Sequence, residues 1–460
     1  MTSTADVHTS PAPAPPRERS AWAALRPLVL RLHFYAGVLI APFLLVAAGT
    51  GLLYAASYQL EQVVYQHELT APVGRTSLPL SAQVAAARAA HPQGTVTAVR
   101  PGAEPGQTTR VLINEPGLAE STQLAVFVDP HTGQVRGALE SYGSSGALPV
   151  RAWISTLHRQ LHLGEPGRIY SELAASWLWV VALGGLILWV ARRRRARRHL
   201  LVPDRAANAA RRRLSWHGSI GLWAVLGLLF LSATGLTWSK YAGANVDELR
   251  AALNWTTPSI NVSGGDHAAH TATTGNHAGG GADVGVDRVA QAAAGKGLSG
   301  PLEIVWPAKA GAPYLVKEID KTAPTRLDQV AVDATSGQVT AELRFADYSL
   351  AAKLARWGID GHMGLLFGLA NQILLAALAI GLIALIVLGY RMWWHRRPTR
   401  GFGKPYPRGG WRRVHWALLV PLGLVAIAVG IFLPLMGISL AAFLVIDVLL
   451  GLRARPASHS

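Results

Sequence analysis

A polytopic α-helical membrane protein carrying two external α+β domains, built by internal duplication as parallel repeats about a pseudo-two-fold axis, is the fold class this sequence predicts. Three observations predict it. Half of the 460 residues are hydrophobic, and they gather in long uncharged runs separated by polar stretches. Dense Arg and Lys clusters sit directly beside alternate runs, the pattern of segments that leave a bilayer into cytoplasm. A shift of 204 positions superposes Trp153 on Trp357, His158 on His362, Gly164 on Gly368, Gly185 on Gly389 and Trp189 on Trp393.

The formal net charge of +17 points to topology and not to nucleic acid, because the cations flank hydrophobic segments instead of forming a basic domain. There is no cysteine, which excludes disulfides, thiolate metal sites, iron–sulfur clusters and cysteine catalysis.

In chain order, residues 1–27 are rich in Pro, Ala and Ser and read as a disordered cytoplasmic tail. Residues 28–56 form the first membrane segment, nearly uncharged beyond Arg31 and too long for a signal-peptide core. Residues 57–172 form the first external domain, in which Ser81–Ala90 has helical spacing and β-rich stretches alternate with turn residues. The second segment, 173–191, enters the basic loop 192–214, and the third, 215–239, goes out again. The second external domain, 240–364, contains a Gly/Ala/His-rich insertion at 263–283. The fourth segment, 365–391, leads to the basic loop 392–413, a closing helical hairpin at 414–452 and a cytoplasmic tail at 453–460.

The repeat reaches the first and third segments with an offset of 184, matching His33 with His217, Gly37 with Gly221 and Thr50-Gly-Leu with Thr234-Gly-Leu. The insertion absorbs most of the difference between the two offsets. Both halves begin and end inside, so the repeats are parallel, with the axis along the membrane normal. His33 and His217 then form a pair near the cytoplasmic face, and His158 and His362 a pair near the external face. Two imidazoles facing each other across a two-fold axis are what a bis-histidine haem requires, with Gly37, Gly218, Gly221, Gly164, Gly364 and Gly368 giving the macrocycle room. A single histidine at a helix end is most often an interfacial polar residue; two symmetry-matched pairs with matched flanking residues carry the haem reading. His162 ranks second to His158, since its counterpart is Leu366. His415 reads as interfacial, because Leu419 and Leu433 stand where the repeat demands glycine. His267, His270 and His277 fall in the insertion and read as linker, with loose metal capture the alternative.

The strand-turn signature Val128-Asp-Pro-His-Thr-Gly-Gln-Val135 recurs as Val332-Asp-Ala-Thr-Ser-Gly-Gln-Val339, and both external domains resemble the PepSY domain. Together with Leu32-His33, Leu157-His158-Arg-Gln-Leu-His-Leu-Gly164, Ser215-Trp-His217, Gly361-His362-Met-Gly-Leu-Leu-Phe-Gly368 and Asn371-Gln372, the chain resembles PepSY-associated transmembrane proteins of the iron-regulated type over residues 31–397. That group includes bacterial inner-membrane ferric-siderophore reductases. The resemblance implies haem b held by bundle histidines and reduction of iron(III) chelates outside the inner membrane; the two histidine pairs predict two haems, and the charge pattern puts both termini in the cytoplasm. No glycine-rich dinucleotide fingerprint occurs in the cytoplasmic loops, so electrons come from a cytoplasmic partner or membrane quinol. Two other readings stand beside this one. One is a non-catalytic PepSY anchor that regulates a peptidase or envelope partner; the other is a quinol-linked cytochrome b with a different acceptor.

Overall fold

Long uninterrupted apolar runs satisfy their own backbone only as helices, and the computed structural model builds them so. It describes residues 21–193, 198–205, 207–260, 283–309, 311–396 and 410–453. Helices α1 (Ala21–Leu39) and α2 (Ala41–Val64) are separated at Ile40, two residues before Pro42, whose ring cannot continue an interior helical bond. The first predicted segment is therefore two helices, and its first turn reaches back into the predicted tail. Between them and the next long helices lie α3 (Leu80–Ala90), strands β1 (Thr95–Arg100), β2 (Thr109–Asn114), β3 (Thr122–Val128) and β4 (Val135–Tyr142), and helix α4 (Pro149–Gln160). Helices α5 (Glu165–Arg193) and α6 (Ala209–Leu236) follow, then α7 (Tyr241–Ala252) and α8 (Val286–Gly295). Strands β5 (Leu302–Val305), β6 (Tyr314–Glu318), β7 (Gln329–Val332) and β8 (Val339–Leu343) precede helices α9 (Leu350–His362) and α10 (Leu369–His395). A hairpin of α11 (Trp416–Phe432) and α12 (Pro434–Arg453) closes the chain.

Among the described residues four helices, α2, α5, α6 and α10, are long and apolar enough to cross a membrane; those of the closing hairpin are shorter. The protein is a multi-pass membrane protein. The predicted insertion at 263–283 lies almost wholly outside the described residues.

The eight strands among the described residues join in one antiparallel sheet, ordered β4-β3-β2-β1-β5-β6-β7-β8. The central junction pairs Ala98 with Val305 and Val99 with Ile304. An offset of 206 maps each of these pairs onto the other, which is what a local two-fold axis through the junction produces. Helices α3 and α8 cover one face of the sheet: Val84, Ala87, Val289 and Ala293 pack on Val99, Val111, Val126, Ile304, Val316 and Val330. The other face meets the bundle, where Ala98, Leu112, Ala125 and Phe127 pack with Leu148, Tyr65 and Leu69. At both signature turns an aspartate fixes the loop. Asp129 accepts from the His131 and Thr132 amides, and Asp333 from those of Thr335 and Ser336. Gly133 and Gly337 follow at φ of 73° and 69°, a backbone open to glycine at no steric cost.

Within the bundle, α6 packs on both α5 and α10, and α2 packs on α10. Gly218 of α6 lies flat against the Trp189 indole of α5, and a Cβ there would fall 2.3 Å from the ring. Gly218→Leu is expected to separate the two helices and cost about 1–3 kcal/mol, read as a lower apparent unfolding temperature in detergent. Gly37→Ala, with open space around it, is the control and should change little.

Candidate functional site: two matched histidine pairs

His33 lies in α1 and points its Nδ1 at the Val181 carbonyl of α5, 3.0 Å away. His217, in α6, points its Nδ1 at the Leu385 carbonyl of α10, also at 3.0 Å. Val181 and Leu385 are 204 positions apart, the same separation as His158 and His362. A carbonyl can only accept, which puts the proton on Nδ1 of each neutral ring and leaves Nε2 with its lone pair. One turn beyond each carbonyl stands a glycine: a Cβ at Gly185 would approach His33 Cε1 to 3.0 Å, and one at Gly389 would approach His217 Cε1 to 3.7 Å. The two ring centroids are 6.4 Å apart, with the planes inclined at 75°.

At the sheet end the same logic uses hydroxyls. Thr50 of α2 donates to the Val46 carbonyl at 2.8 Å, and Thr234 of α6 donates to the Phe230 carbonyl at 2.6 Å. With that proton committed, each Oγ1 accepts from a histidine. His158 Nδ1 lies 2.9 Å from Thr50 Oγ1, and His362 Nδ1 lies 2.6 Å from Thr234 Oγ1. Gly51 and Gly235, next along each helix, leave their faces open to the imidazoles: a Cβ would lie 3.3 Å from His158 Cε1 and 3.5 Å from His362 Cε1. One turn further on, Tyr54 stacks on His158 at 6.4 Å and Trp238 meets His362 edge-on at 5.3 Å. Burial pushes the His158 imidazole down to about 4 and that of His362 to about 3, with the neighbouring Arg159 and His158 charges respectively adding to the effect. Both are neutral at pH 7, the form that binds a metal.

The helices that carry these two histidines are pinned close by. Glu61, near the end of α2, is buried and accepts from the Leu148 amide at 2.9 Å and from Arg151 Nε at 2.9 Å, which docks the first turn of α4. Asn371 of α10 donates to the Gly361 carbonyl at 2.8 Å and holds the end of α9. On α6, Thr234 stands 17 positions beyond His217, so the two pairs are about 25 Å apart along the helix at 1.5 Å per residue.

None of the four Nε2 atoms takes part in a hydrogen bond among the described residues, and all four rings are half-buried. No group of three or more His, Cys, Asp or Glu able to hold a metal ion occurs among those residues. Two imidazoles with uncommitted Nε2 atoms, bordered by Gly51, Gly185, Gly235 and Gly389, suit a metal that would arrive with its other ligands in a macrocycle. The donor set therefore fits haem.

Of the glycines expected to give that room, Gly218 packs on Trp189, Gly221 faces Leu385, Gly364 faces Gln372, and Gly37, Gly164 and Gly368 have nothing within 4 Å. Gly51, Gly185, Gly235 and Gly389 border the imidazoles instead. His162 follows the helix end at φ 54°, exposed, its ring on Trp153 and its Nε2 3.1 Å from the Trp153 carbonyl. His415 is the N-cap of α11, accepting from the Ala417 amide at 3.2 Å. His267, His270 and His277 lie outside the described residues. Thr50, Thr234, Tyr54 and Trp238 were not identified as site residues from the sequence, although the first two belong to its matched Thr-Gly-Leu motifs.

Apolar spanning helices, an antiparallel sheet and two half-buried histidine pairs describe a multi-pass membrane protein. Residues 30–396 match the family described as PepSY-associated TM region, and the chain belongs to it. No curated protein matches the chain.

Proposed function

We propose that this protein is a di-haem b oxidoreductase of the bacterial inner membrane that passes electrons outward to an iron(III) chelate of the siderophore class and so releases iron(II). In this reading the chain is an internal duplication of two PepSY-like external domains on parallel membrane repeats, with six spans and both termini cytoplasmic. His33 with His217 forms the cytoplasmic site and His158 with His362 the external one. The observation that carries the reading is the tautomer lock: four histidines in two matched pairs each place Nδ1–H on a matched acceptor and keep Nε2 for a ligand.

Haem b, when bound at the two pairs, would supply a one-electron couple near each membrane face. The chain does the rest. The carbonyls of Val181 and Leu385 and the hydroxyls of Thr50 and Thr234 hold the imidazoles in one orientation. Held by two histidines at each pair, haem would serve electron transfer rather than oxygen chemistry. Iron(III) sits in hard oxygen donors, and one added electron weakens those bonds so that iron(II) departs. The electron donor is a cytoplasmic reductant or membrane quinol.

The test is reoxidation of the dithionite-reduced, purified protein by an anionic iron(III) chelate, iron(III) citrate, under anaerobic conditions, with iron(II) trapped by a coloured chelator. Stoichiometric reoxidation and trapping, one iron per electron, is expected; reoxidation no faster than buffer exchange would contradict the assignment. Thr50→Val and Thr234→Val remove the Nδ1 acceptor alone. Each should weaken haem retention about 10- to 100-fold in competition with apomyoglobin, and Thr→Ser should restore it.

A further inference from the structure

The sheet face that meets the bundle carries a charge arrangement that folding alone does not favour. Arg100 of β1 stands directly opposite Arg110 of β2 in the register. Like charges directly opposite each other across a strand pair are destabilising. Arg100 is answered by Glu303 at 2.6 Å, a carboxylate also shared with Lys317 at 2.7 Å. Arg110 has no carboxylate or hydrogen-bond partner among the described residues; its guanidinium lies over the Phe127 ring at 5.4 Å. Burial, with Arg100 and Arg151 nearby, brings it down to about 10, although Glu61 opposes the shift.

Beside this pair, a cleft of about 230 Å³ is lined by Arg100, Ser144, Ser145, Lys321, Thr322 and Leu365. Its acidic member, Asp320, is turned back on its own loop and accepts from the Thr322 amide at 2.9 Å and hydroxyl at 2.6 Å. Lys321 makes no hydrogen bond or ion pair among the described residues. Asp360, a carboxylate that acts on it, is already held by Nε and a terminal nitrogen of the Arg356 guanidinium, at 2.8 and 2.7 Å. Burial first, then Arg356, pushes the Lys321 ammonium down to about 8. A partly buried ammonium without a counter-ion, on a cleft whose one lining carboxylate is turned into its own loop, forms a site built for an anion. Leu365, one of the lining residues, lies three residues beyond His362 in the chain.

We infer that this cleft binds the negatively charged edge of the iron(III) chelate, carboxylate or catecholate oxygens, with Lys321 as the principal ionic contact and the Ser144, Ser145 and Thr322 segments alongside. The inference rests on the function proposed above only for the identity of the acceptor. It makes Lys321 a determinant of selectivity for anionic over cationic chelates.

The experiment is equilibrium dialysis of the full-length protein in nanodiscs against two gallium(III) chelates, the anionic EDTA complex and the cationic desferrioxamine complex. Gallium(III) is not reduced, so binding is read independently of electron transfer. The anionic complex should bind in a salt-sensitive way and the cationic one should not. Lys321→Gln should weaken binding about tenfold, as expected for loss of one partly desolvated charge contact. Lys321→Glu should abolish it and Lys321→Arg should restore most of it, all with unchanged elution on size exclusion. Equal binding of both complexes, binding of neither, or an unaltered Lys321→Glu variant would overturn the inference. Lys321-dependent binding with no iron(III) reduction would leave the cleft standing and sink the reductase reading instead.

Discussion

His362→Ala is expected to remove one of two haems per chain and leave the other intact, and His158→Ala to do the same. The two residues sit on different helices, α9 and α4, yet serve one site, so each loss should equal that of the double variant. The effect should not spread to the His33–His217 pair, because about 25 Å of helix separates the two sites and they share no hydrogen-bonding residue. Conversely, His33→Ala or His217→Ala should empty the other site alone. His162→Ala should retain both haems, since that ring lies exposed on Trp153. Pyridine haemochrome content per chain reads all of these directly. Loss of haem on His162→Ala, or independent partial losses from His158→Ala and His362→Ala, would contradict the pairing.

The largest stability effect is expected at Glu61–Arg151. Both side chains are nearly inaccessible, at 9% and 5%, and Glu61 accepts two bonds from the guanidinium at 2.9 and 3.2 Å plus the Leu148 amide. Arg151 also lies over the Tyr58 ring at 4.9 Å. Arg151→Met leaves an uncompensated buried carboxylate and should cost about 3–5 kcal/mol. Glu61→Gln combined with Arg151→Met removes both charges and should recover most of that loss. The single variant should also loosen α4 on α2, so haem at the His158 site should fall with stability. Thermal unfolding followed by scattering and by the Soret band checks both. A neutral Arg151→Met would mean that the pair does not dock α4.

Much of the helical and strand framework could be read from the chain because it rests on local pattern: apolar runs, β-rich stretches and Asp–Gly turns are properties of neighbouring residues. The repeat offsets singled out the four histidines without any contact information. The partners were harder to see. Thr50 and His158 are 108 positions apart, and what makes the threonine an acceptor is its own bond to Val46, a feature of helix geometry that composition does not display. The glycines were assigned by proximity in sequence to the histidines. The ones that border the rings lie across the bundle, on the helix that faces each ring, and only packing decides that. The break at Ile40 follows from Pro42, a local signal outweighed by the length of the apolar run. The cationic cleft is the least legible feature, since Arg100 and Lys321 come together only through the sheet register and the loop after β6.

The central claim is that two matched imidazole pairs each hold one haem. Its most direct test is low-temperature electron paramagnetic resonance of the oxidised, purified full-length protein, quantified against haem content. Two low-spin ferric signals of bis-imidazole type, together accounting for about two haems per chain, are predicted. High-spin iron, a single signal at one haem per chain, or folded and colourless protein from haem-replete cells would contradict it.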